Sequence, residues 1–271
     1  MKLRRTYKEA INLPLKGYFK NYYEFKNYKD FINYLLTRYN GKEYILGKGS
    51  NTLPIRKCCK RKVLRVDDEI ILIKGERAII SGSTSSSKAN TVLKKLGYTN
   101  FIGPYTIPGT IGAGIKNNAS FLGYDYYEGL ESIIVFDGKN FLKIDSSRIN
   151  RCYRKTDIKG IILFAIYKLK KGYAENIEKK VLEKRKSQPK GIYTLGSTFK
   201  NPMNYHAYEL VEKVLEKHPK MKSFMSKEHY NFLDISAEDD PKSIYKFIKR
   251  IKRMVKREFG VSLELEIRII K

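Results

Sequence analysis

Between Thr106 and Gly123 the chain reads TIPGTIGAGIKNNASFLG, and it sets Pro108, Gly109, Gly112 and Gly114 close together. Residues spent this way control backbone shape. Glycine lacks Cβ, so it reaches positive φ and lets consecutive N–H groups converge on an anion without a side chain between them. A second loop, Gly47-Lys48-Gly49-Ser50-Asn51, follows the apolar run Tyr44-Ile45-Leu46. Strand running into glycine loop is an arrangement in which backbone donors can face an anion. Taken singly, each loop fits an ordinary turn as well as a ligand cradle.

The 271 residues exceed one average domain, so two or three modules are expected. Hydrophobic residues make up 42% without any run approaching the roughly 20 apolar residues of a membrane span, which argues for a soluble globular protein with no membrane partner. The N-terminal MKLRRTYKEAINLPL is basic but has no apolar core of a secretory signal, so a cytoplasmic location is expected. Cys58, Cys59 and Cys152 make no disulfide framework, and His206, His218 and His229 have no metal-ligand spacing, so no metal is expected. The formal charge of +27 suits nucleic acid when read by itself. Its lysines are spread along the chain and accompany abundant Asn, Ile and Tyr, so the expectation is no nucleic-acid partner, with a basic nucleic-acid-binding protein as the rival reading.

Local patterns order the rest. Phe31, Tyr34 and Leu35 have helical spacing within residues 28–39, before Gly41 and a strand ending at Leu46, a βαβ-like opening. Short strands are expected at residues 62–66, 69–74 and 78–81, then the polar loop Gly82-Ser83-Thr84-Ser85-Ser86-Ser87 and a helix near residues 89–96. Asp137-Gly138-Lys139-Asn140 between two apolar runs predicts a hairpin, Ile161 to Leu169 a strand, and Ala174 to Lys186 a charged surface helix. Asp240 and Pro241 predict a helix start; Ile244, Phe247, Ile248, Ile251, Met254 and Val255 give it one apolar face, Lys and Arg the other, and Gly260 its end. In the closing run, Leu263, Leu265, Ile267 and Ile269 alternate with Glu264, Glu266 and Arg268, as in an edge strand with one wet face.

Leu46 to Leu53 (LGKGSNTL) and Ile107 to Gly112 (IPGTIG), followed in order by Tyr153-Arg154, Gly196 to Pro202 (GSTFKNP), Ser226 to Phe232 (SKEHYNF) and Phe259 to Ile270 (FGVSLELEIRII), resemble the UDP-N-acetylenolpyruvoylglucosamine reductases, the MurB family, over nearly the whole chain. The resemblance implies an α+β fold. An FAD-binding domain of two subdomains (PCMH-like) would span residues 1–171, split near residues 55 and 56, before a C-terminal α+β substrate-binding domain over residues 172–271. It implies FAD, NADPH as reductant, a nucleotide-sugar substrate and a monomer. By resemblance the catalytic residues are Arg154, Ser197 and Glu266. Those for the cofactor are Gly47, Lys48, Gly49, Ser50, Asn51, Thr52, Pro108, Gly109, Thr110, Gly112 and Asn118, and those for substrate are Tyr153, Lys200, Asn201 and Arg268. Serine would protonate C2 after hydride reaches C3 of the enolpyruvyl group, and arginine would hold the developing carboxylate charge.

The chain departs from the family pattern at Ile102, at Ala113 in the glycine pair, at Ser120 where the family's Asn-Ala-Gly becomes Asn118-Ala119-Ser120, and at Ser187 where lysine is usual. Added side chains at such places would crowd the flavin pocket. They motivate the alternative of a diverged, MurB-like flavoprotein or non-catalytic paralogue with altered FAD or substrate binding.

Overall fold

The computed structural model describes residues 2–236 and 239–271. The chain divides into two compact units: Tyr23–Lys48 with Lys62–Ser187, and Lys2–Tyr22 with Gly49–Arg61 and Gln188–Lys271. In chain order the helices are α1 (Tyr7–Ile11), α2 (Tyr28–Arg38), α3 (Ser86–Lys95), α4 (Ile111–Lys116), α5 (Glu175–Lys186), α6 (Ala207–Lys217) and α7 (Pro241–Phe259). Among the described residues no helix is long and apolar enough to cross a membrane.

In the first unit an antiparallel sheet runs in the order Phe141–Asp145, Leu130–Phe136, Ile161–Lys168, Arg77–Ser81, Ile71–Lys74. The expected hairpin closes on the pair Phe136↔Phe141. Asp137 makes that turn, its carboxylate accepting the amides of Lys139 and Asn140 at 2.8 and 2.7 Å. The middle strand is buried on both faces. Ile161 and Leu163 meet Phe31, Tyr34 and Leu35 of α2, whereas Ile162, Ala165 and Tyr167 meet Ala89 and Leu93 of α3 and Ile111 and Ile115 of α4. Residues 163 and 165 should share a face by the two-residue period of a strand. A register shift opposite Ile134 and Val135 is the bulge that turns them to opposite faces. The charged helix α5 lies in this unit and buries only Val181.

The second unit is built on α7. Asp240 accepts the Ser243 amide, Pro241 occupies the first turn, and Gly260 ends the helix at φ +69°. Ile244, Phe247, Ile248, Ile251, Met254 and Val255 are all buried, and each such side chain stabilises by ~1.5–3 kcal/mol relative to exposure. Leu210, Val211, Val214 and Leu215 make the buried stripe of α6. The closing segment departs from its sequence pattern. Only Arg268–Ile270 forms a strand, and it pairs in parallel with Thr52–Pro54. Leu263, Ile267 and Ile270 are buried while Leu265 and Ile269 are half-exposed, so the alternation breaks between Ile267 and Ile270, where the segment joins a new partner.

Candidate functional site

The first unit holds the glycine-rich centre. Gly82 begins the polar loop at the end of the Arg77–Ser81 strand, and α4 begins at Ile111 after Thr110, which caps it by accepting the Ala113 amide. The two loops are laced together: Ser86 donates to the Gly109 carbonyl at 3.3 Å, Ile111 to Thr84 at 2.9 Å and Gly112 to Gly82 at 2.9 Å. Gly82 must be glycine, because a Cβ there would stand 2.3 Å from the Ile162 carbonyl oxygen. Close approach of loop to loop thus consumes the Gly112 amide. By contrast the amides of Gly47, Lys48, Gly109 and Thr110 donate to no protein acceptor among the described residues. Gly47 and Thr110 lie together, since a Cβ on Gly47 would be 3.0 Å from Thr110 Oγ1. Pro108, with its φ fixed and no N–H to offer, leads into this pair. Four open amides on converging loops are the donor set that a pyrophosphate accepts, so the residues present fit the dinucleotide FAD.

A carboxylate ties these loops from behind. Glu69 accepts the Ser85 amide at 2.8 Å and lies 3.3 Å from Lys48 Nζ and 3.5 Å from Lys88 Nζ. Burial pushes its carboxyl up, but the Ser85 amide and hydroxyl and the Lys48 charge outweigh burial and hold it below its usual range.

Arg154 also belongs to this unit, in the turn of a hairpin paired Cys152↔Lys155, at φ +56°. Its Nη1 donates to Ser120 Oγ at 2.9 Å and its Nη2 to the Ser120 carbonyl at 3.3 Å. Asn118, itself at φ +44°, donates from Nδ2 to the Cys152 carbonyl at 2.9 Å. Tyr153 is 51% exposed, with the Arg154 guanidinium 5.2 Å from its ring centre.

The second unit gathers the other expected residues. Gly49, at φ +79°, opens a turn closed by the Thr52 amide on its carbonyl at 3.1 Å. A Cβ on Gly49 would collide with Ile11 at 2.3 Å. Asn51 donates from Nδ2 to the Glu266 carbonyl at 3.2 Å and receives the Arg268 amide at 2.8 Å, and Thr52 pairs with Arg268. Ser197 bridges to Phe232, and next to it the Thr198 carbonyl accepts the Glu266 amide at 2.9 Å. A half-buried hydroxyl and a half-buried carboxylate therefore come from adjacent backbones. Asn231 locks the Ser197 segment by taking the Phe199 amide at 2.9 Å and returning a bond to its carbonyl at 2.8 Å. Lys200 pairs with Glu264 at 3.2 Å, and Asn201 Oδ1 accepts the first amide of α6, from Ala207, at 3.0 Å. Ser50 lies in the same turn as Gly49.

Gly82, Glu69, Ser120 and Asn231 were not expected as functional residues. A signal existed for Gly82, which follows an apolar strand just as Gly47 does. Glu69, Ser120 and Asn231 act through partners distant in sequence, which no local pattern announces.

Residues 188–270 match the family model described as UDP-N-acetylenolpyruvoylglucosamine reductase, C-terminal domain. The chain is 33% identical over 256 residues to the UDP-N-acetylenolpyruvoylglucosamine reductase of Pelagibacter ubique, covering 87% of this chain and 83% of the relative. It is 30% identical over 230 residues to the corresponding Helicobacter pylori protein, covering 84% and 86%. Its fold resembles the crystal structure of UDP-N-acetylenolpyruvylglucosamine reductase (MurB) from Thermus caldophilus, with a TM-score of 0.81 at 24% identity, covering 100% of this chain and 99% of that one.

Proposed function

Because the chain belongs to the UDP-N-acetylenolpyruvoylglucosamine reductase family, we propose that it reduces UDP-N-acetylglucosamine enolpyruvate to UDP-N-acetylmuramate with NADPH, as a cytoplasmic monomer making peptidoglycan precursor without nucleic acid. Bound FAD supplies the hydride chemistry. The open amides of Gly47, Lys48, Gly109 and Thr110 hold its pyrophosphate. Ser197 gives a proton to C2 of the enolpyruvyl group. A serine hydroxyl is a weak acid, yet the carbanion it meets is a strong base, so position decides the rate. Arg154 binds the substrate carboxylate, where its fixed planar charge stabilises the negative charge that develops. Glu266 acts at the same end of the substrate, and Asn201 and Arg268 contact the substrate.

The observation that supports this reading most is the Glu266 amide on the Thr198 carbonyl at 2.9 Å, which brings a hydroxyl and a carboxylate from residues far apart in the chain onto neighbouring backbones. Purified protein should show the visible absorption of bound flavin, or gain it on mixing with FAD, and should oxidise NADPH faster when the enolpyruvyl nucleotide is added. Flavin-loaded protein with no substrate-dependent turnover refutes the activity; failure to take up FAD refutes the cofactor.

A further inference from the structure

Arg154 is held in an uncommon way. It is a non-glycine residue in the left-handed region, where most side chains are disfavoured and surrounding contacts must hold the backbone. Three of those contacts come from one short segment. Ser120 receives both terminal nitrogens of the guanidinium, one on its hydroxyl at 2.9 Å and one on its carbonyl at 3.3 Å. Two residues earlier, Asn118 grips the Cys152 carbonyl at the base of the same turn. Fixing Nη1 and Nη2 on two oxygens of one residue sets the plane of the guanidinium as well as its position, and plane is what a two-bond contact with a carboxylate requires. Glycine at position 120 would keep the carbonyl contact and lose the hydroxyl.

We propose that Ser120 is a positioning residue: its hydroxyl orients Arg154 toward the substrate carboxylate, so that this departure from the family pattern supports the site instead of crowding it. The inference rests on the reading of Arg154 given above. Since the contact matters most once charge develops on the carboxylate, its loss falls on the product-forming step more than on substrate affinity.

The test compares Ser120→Ala and Ser120→Thr with the unaltered protein, all loaded with FAD. Ser120→Ala should reduce flavin with NADPH at the normal rate and slow reoxidation by the enolpyruvyl nucleotide about tenfold, the loss expected for one hydrogen bond to a charged group. KM should change by less than that factor. Ser120→Thr, which restores a hydroxyl, should recover most of the rate. Independently of turnover, the 15N order parameter of the Arg154 side chain, assigned through Arg154→Lys, should fall in Ser120→Ala and recover in Ser120→Thr. An unchanged order parameter, an unchanged product-forming step, or a threonine variant as slow as the alanine one overturns the proposal. If the unaltered, flavin-loaded protein has no turnover, the functional reading fails, and the order parameter alone then decides whether Ser120 orients Arg154.

Discussion

Gly82→Ala is the sharpest test of how the glycine-rich centre is assembled. The new Cβ would lie 2.3 Å from the Ile162 carbonyl oxygen, 3.2 Å from its carbon and 3.4 Å from the Leu163 carbonyl oxygen, all main-chain atoms that cannot swing aside. Relief needs a backbone shift of roughly 1 Å, given that carbon and oxygen pack at ~3.3 Å or more. That shift breaks the bond from Gly82 to the Leu163 carbonyl, 2.7 Å, and the one from Gly112 to Gly82, 2.9 Å. Overpacking and the two lost bonds together destabilise the protein by about 3–5 kcal/mol. For a chain of this size that lowers Tm by roughly 10 °C. Gly75→Ala is the control. Nothing lies within 4 Å of its Cβ, and only its φ of +58° opposes the change, at about 1–2 kcal/mol. Calorimetry and urea unfolding give the stability, and FAD titration should show weaker binding for Gly82→Ala alone. Equal losses for the two variants, or a loss under about 1 kcal/mol for Gly82→Ala, would refute the argument that loop-to-loop approach fixes this glycine.

Ser197→Ala should leave flavin reduction by NADPH intact and slow product formation by about two orders of magnitude, as for loss of a proton donor; a stopped-flow comparison in which both half-reactions fall equally removes the assignment. Asn231→Ala, which leaves both main-chain groups of buried Phe199 unpaired, should cost about 2–4 kcal/mol in urea unfolding, and a change under 0.5 kcal/mol would contradict it. Glu69 has a folded-state pKa below its unfolded value, so it contributes stability above the unfolded pKa that is lost as pH falls through the folded one. Glu69→Gln should therefore flatten the acid limb of the stability profile, and an unaltered limb would show that the Ser85 and Lys48 contacts are not felt. The exposed face of α7 sets Lys242, Lys246 and Arg250, and Lys249, Arg253 and Arg257, at like-charged four-residue spacing. Added sodium chloride should raise Tm, and a fall across the same range would count against repulsion there.

What could be read from residues in advance depended on distance along the chain. Helix α7 is announced by its cap, its 3.6-residue period and its terminal glycine, and the 137–140 hairpin by the turn chemistry of Asp137, all within one or two turns of chain. The loops around Gly47 and Gly109 were visible as loops, but which of their amides stay open depends on loops reaching them from elsewhere. The closing segment misled for a related reason. Perfect alternation from Leu263 to Ile269 gives a period and no partner, and pairing with Thr52–Pro54 resets which side is buried. Ser120 reaches Arg154 across 34 residues and Asn231 reaches Phe199 across 32. A serine after alanine and an asparagine before phenylalanine look like many others until the fold supplies their partners.

The parallel pairing of Thr52–Pro54 with Arg268–Ile270 has a consequence for how the protein is made. Its early half is synthesised more than two hundred residues before its late half, a gap of roughly 10–40 s at usual elongation rates. Until then Thr52–Pro54 lacks its parallel partner, which is made only after helices α1 to α7, so this part of the second unit is completed late.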